Sequence, residues 1–103
     1  MGGYTDLHER IDRLCERART RPCPQLVDEM NDVLSEGYAR ALSDERRLVG
    51  LEERLVELLL ADERPPELRT VAEQRREAAR CVAALRNDLA RMHEHFVLLG
   101  GGS

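Results

Sequence analysis

Apolar residues return every three and four positions through most of the chain, the spacing of one face of an α-helix. Between residues 4 and 18 the stripe is Tyr4, Leu7, Ile11, Leu14 and Ala18. It predicts a helix over about 5–20 with Thr5 as its N-cap. RPCP at 21–24 cannot continue that helix, because each proline removes a backbone donor and restricts the residue before it. Pro24 nevertheless suits the first turn of a new helix.

From Pro24 to Ala61 there is no proline, and the apolar positions fall into heptads. Val27, Leu34, Ala41, Leu48 and Leu55 stand at a; Met30, Gly37, Asp44, Leu51 and Leu58 stand at d. DERPPEL at 62–68 ends this element, since Pro65 and Pro66 stop one helix and can open the next. A third helix follows over about 66–99, with Leu68, Arg75, Val82, Leu89 and Phe96 at a and Val71, Ala78, Leu85, Met92 and Leu99 at d. GGGS at 100–103 reads as a disordered tail.

So short a turn makes the long helices antiparallel, and a residues of one then meet d residues of the other in layers whose residue numbers share a constant sum. A sum of 126 serves every layer, from Leu58 with Leu68 to Val27 with Leu99. The expected fold is all-α and a single domain over 1–103: a long antiparallel two-helix coiled-coil hairpin, about 24–61 and 66–99, with the short N-terminal helix packed on one flank.

The same register assigns roles to residues that break the pattern. Gly37 faces Leu89, where a missing side chain admits a large knob. Tyr38 faces Arg86 across the flank. Asp44 and Arg75 are polar at core positions and read as register and specificity devices, Asp44 held by Arg40 or Arg47 and Arg75 reaching towards Glu52. Gly50 falls at an outer position with no packing reason.

The two flanks of the hairpin differ. The flank formed by g positions sets Arg40, Arg47 and Arg54 against Asp88, Cys81 and Gln74, and reads as solvated with an Arg40–Asp88 ion pair on its rim. The flank formed by e and b positions carries Tyr38, Leu42, Val49, Val56 and Leu59 on the second helix and several alanines on the third. It calls for a cover, and the N-terminal helix, about 24 Å long, is expected to supply one as far as Leu42. Beyond its reach, Val49, Val56, Leu59, Leu60, Ala72 and Ala79 form the expected interface with a partner.

Composition narrows the function. Charged residues make up 35% of the chain, with a single Phe, two Tyr and no Trp, so the core is thin and aliphatic and offers no deep pocket for catalysis. A net charge of −4 disfavours a nucleic-acid partner. Apolar runs such as LLLA at 58–61 are too short to span a bilayer, no signal-peptide core opens the sequence, and the three cysteines lack disulfide spacing. A cytoplasmic protein with reduced thiols, no membrane association and no cofactor is expected. His93 and His95 are two apart and point about 200° apart on a helix, while His8 and Cys15 lie about 10 Å apart along one, so neither pair makes a metal site within one chain.

In architecture the hairpin resembles the anti-sigma proteins of actinobacteria that bind cyclic di-GMP through Glu-x3-Ser-x2-Arg-x3-Gln-x3-Asp. In the frame that starts at Ala39, Ser43 and Arg46 match, whereas Ala39, Gly50 and Arg54 stand in place of Glu, Gln and Asp. No ligand residue is carried over from that resemblance. The expectation is a non-enzymatic helical interaction module, pairing with itself as a homodimer or with another helical protein. The alternatives are a protein-sequestering regulator with a small ligand on the Arg-rich g flank, and a metal-binding bundle in which His93 or His95 of two subunits meet.

Overall fold

The computed structural model describes residues 3–61 and 65–101, with side chains from residue 5 onward. Helix α1 runs Gly3–Thr20, α2 Gln25–Leu60 and α3 Glu67–Leu98. The side chain of Tyr4, the DER of the DERPPEL turn and the last two residues of GGGS lie outside the described residues.

Each long helix opens on proline. Pro24 (φ −60°) and Pro66 (φ −61°) precede α2 and α3 in helical conformation, with no side-chain cap. Proline suffices there because it has no N–H to leave unpaired and its φ is already set. Thr5, expected as an N-cap, instead lies within the first turn of α1, which begins two residues earlier. The end of α3 is more definite than its sequence suggested. Gly100 takes φ +95°, its N–H bonds to Val97 O at 3.0 Å, and the Gly101 N–H bonds to Phe96 O at 2.9 Å. These two bonds make a Schellman cap. A Cβ at Gly101 would sit 2.5 Å from the Phe96 ring, so glycine is required there for closeness as it is at Gly100 for its dihedral. The first two residues of the expected tail therefore terminate α3.

α2 and α3 form the antiparallel hairpin, 60 Å in its longest dimension. Gly37 is buried, and a Cβ built on it would run into the Leu89 side chain, which fixes the predicted layer. Tyr38 lies with its ring 6.0 Å from the Arg86 guanidinium, and Arg75 reaches Glu52 at 3.1 Å. Asp44 is turned outward and bonded to Arg40 at 3.2 Å. No polar or charged side chain among the described residues is buried, so both polar intruders leave the core by the flanks.

α1 packs on the flank opposite to the one expected. Leu26 (0% exposed) and Val33 (4%) occupy g positions of α2 and are buried with Leu7, Ile11 and Leu14 of α1, whereas Leu42 on the e/b flank remains 53% exposed. Arg10 bonds to Glu36 at 2.6 Å and Arg17 to Glu29 at 2.8 Å, tying α1 to the outer face beside those g residues. The expected Arg40–Asp88 pair is not formed: Arg40 turns to Asp44, and Asp88 is occupied by α1 and Arg91. Hydrophobic burial decides the matter. A short four-residue link lets α1 fold back on either side, and the g side offers Leu26 and Val33 close to that link, where α1 buries both.

Candidate interaction surface

With α1 on the g flank, no other element among the described residues covers the e/b flank. Tyr38 (37% exposed), Leu42 (53%), Val49 (51%), Val56 (54%), Leu59 (57%) and Leu60 (78%) mark it on α2. Val97 and Leu98 are exposed at the far end of α3. Of the residues expected at an interface, Val49, Val56, Leu59 and Leu60 are exposed on one side of α2, and Ala72 and Ala79 are half-buried on α3 across the hairpin. The surface is longer than expected, because Tyr38 and Leu42 belong to it.

Its charges are sorted by helix. At e and b positions, α2 carries Asp28, Glu45 and Glu52 and no base; α3 carries Arg69, Arg76, Arg86 and His93 and no acid. Part of that sorting is used within the chain, where Arg86 bonds to Glu45 and Arg75 to Glu52.

On the g flank the chain is stitched by ions. His8 Nδ1 lies 2.5 Å from Asp88 Oδ2 and its Nε2 3.2 Å from Asp12 Oδ2; Arg91 bonds to Asp12 at 2.5 Å and to Asp88 at 3.3 Å. The four residues close a ring of alternating charge between α1 and α3. The hydrogen bond to Asp88 holds the His8 imidazole above its ordinary pKa, against the opposing effect of desolvation. Arg91, by its hydrogen bond, holds the Asp12 carboxyl below the usual range.

Beneath the ring, burial pushes the Cys15 thiol up, and desolvation with the neighbouring Glu77 does the same at Cys81. These thiols are therefore less nucleophilic than an ordinary cysteine. All three cysteines are free.

No known protein family, curated protein or solved structure matches this chain. Among the described residues no three or more His, Cys, Asp and Glu gather as metal ligands, and no helix is long and apolar enough to cross a membrane. On the Arg-rich g flank, Arg40 and Arg54 are already engaged, Arg40 by Asp44 and Arg54 by Glu57 and Glu67.

The sequence reading missed the ring and the docking pair Leu26 and Val33. The docking pair had a signal: two apolar g positions near the start of α2, with Arg10 and Arg17 spaced to meet Glu36 and Glu29 beside them.

Proposed function

We propose that this chain is a non-catalytic helical interaction module, a homodimer with a regulatory or scaffolding role, acting through the uncovered e/b flank. One observation carries the reading: five large apolar side chains from Tyr38 to Leu59, each 37–57% exposed, on one face of α2. At 1.5 Å per residue that face is about 32 Å long. A contiguous apolar patch of several hundred Å² is costly to leave in water and marks interaction sites on soluble proteins. The hairpin is read as a coiled coil, supported by the heptad layer that sets Leu89 against Gly37. A reducing, cytoplasmic setting suits its three free thiols.

Val56→Glu together with Leu59→Glu tests this, since both residues lie outside the a/d layers and more than half exposed. The variant is expected to keep its helical circular dichroism and fall from dimeric to monomeric mass by light scattering or sedimentation. If it keeps the wild-type mass, or if the wild-type chain is itself a monomer, the reading fails.

A further inference from the structure

The e/b flank carries two different edges that complement each other. The α2 edge is bulky and acidic: Leu42, Val49 and Val56 alternate with Glu45 and Glu52. The α3 edge is small and basic: Ala72, Ala79 and Ala83 alternate with Arg69, Arg76 and Arg86. Arg86 is engaged within the chain by Glu45, but no partner among the described residues holds Arg69 or Arg76.

Resting on the reading of this flank as the working surface, the geometry points to a second copy of this chain as its occupant, docked with the α2 edge of each copy on the α3 edge of the other. Three arguments select that arrangement. Size comes first: Leu and Val knobs at one edge need shallow, alanine-lined grooves, and the other edge of the same chain supplies them. Charge comes second. Two hairpins can meet face to face about a twofold axis that runs along their length or across it. An axis across the length lays α2 on α2 and α3 on α3, setting Glu45 and Glu52 against their own kind and Arg69 and Arg76 against theirs. An axis along the length lays acidic α2 on basic α3 at both seams and brings Arg69 and Arg76 towards Glu45 and Glu52, adding a second cation to carboxylates that Arg86 and Arg75 hold within their own chain. Area comes third. A face about 32 Å long and two helix diameters, about 20 Å, wide offers roughly 640 Å² per chain, somewhat below the roughly 800 Å² per partner of a stable complex. α1 lies on the opposite flank and does not obstruct the contact.

The lengthwise axis also fixes the register. Each copy keeps its own layers at the same height, so Val49 of one chain stands beside Arg76 of the other, as it does within its own hairpin.

The test is Arg69→Glu with Arg76→Glu, measured as the dimer dissociation constant by sedimentation equilibrium, with helicity checked by circular dichroism. Both positions are exposed, so the fold should persist. The arrangement predicts at least about tenfold weaker association, because acid then faces acid at both seams; tenfold corresponds to about 1.4 kcal/mol. An unchanged constant overturns it. If Val56→Glu with Leu59→Glu still dissociates the dimer in that case, the surface stands and only the arrangement falls; if both variants keep the wild-type mass, the surface falls as well. A second measurement avoids charge altogether. In a background where the native cysteines are replaced, chains carrying Val49→Cys and chains carrying Arg76→Cys are mixed and oxidised. The mixed disulfide should dominate over the two like-with-like products, and dominance of a like-with-like product refutes the lengthwise axis.

Discussion

The two ends of the hairpin carry the same heptad pattern and are buried differently. At the end that α1 covers, Met30, Ala41, Leu85, Leu89 and Met92 are completely buried. Towards the turn, where only two helices meet, Leu48, Leu51, Leu55, Leu68 and Ala78 stay half-buried at equivalent a and d positions, and only Leu58, Val71 and Val82 are fully covered. Heptads decide which residues face the neighbouring helix. Whether those residues leave water depends on a third layer, and two helices alone are too narrow to shield their own seam.

The largest expected effect follows from that difference. Ile11→Ala removes a fully buried side chain from the three-helix end and is expected to cost about 3 kcal/mol. Leu55→Ala, at the two-helix end, should cost less, about 1–2 kcal/mol, because Leu55 is only partly buried. Urea unfolding of both variants checks the ranking. Equal costs would mean that the turn end is covered in solution, as docking of a second copy would cover part of it.

Gly37→Leu comes next. Leu89 fills the space that a side chain at 37 would need, so overpacking should destabilise by about 1–3 kcal/mol despite better helix propensity. The same change at Gly50, which has nothing within 4 Å of a Cβ, should stabilise slightly. Thermal melts of the pair separate a packing glycine from an idle one.

The smallest effect belongs to the ionic ring that holds α1. His8 is raised in the folded state, so its contribution is fully present below the unfolded histidine value of about 6.5 and is lost as pH rises through the higher folded value. The imidazole is nearly half exposed, so the stability involved is under about 1 kcal/mol. Stability measured across that window should fall slightly with rising pH in the wild type and lose this component in His8→Ala.

The hairpin was legible in the sequence because two independent heptad series agreed on one sum, and the pairs Gly37–Leu89, Tyr38–Arg86 and Arg75–Glu52 follow from it. The side chosen by α1 was not read correctly. The g flank is polar when judged from Arg40 to Arg54, yet α1 touches it only before that stretch, where Leu26 and Val33 stand. Averaging polarity over a whole helix hid a local preference on which about 18 residues of chain depend. The exposed apolar flank was half legible: Val49, Val56, Leu59 and Leu60 were visible as surplus apolar positions, but its full length depended on which flank α1 leaves bare.

The His8–Asp88 and Asp12–Arg91 contacts join the first helix to the last across 80 and 79 positions of chain. α1 can lie down on α2 as soon as both exist, since Arg17 and Glu29 are only 12 positions apart. Half of its resting place, however, belongs to a helix that has not yet been made. At a synthesis rate of about 5–20 residues per second, the roughly 50 residues from Glu36 to Asp88 separate the two events by about 3–10 s. For that interval the nascent chain carries Leu7, Ile11 and Leu14 without their final cover, and α3 completes the packing of α1 when it emerges.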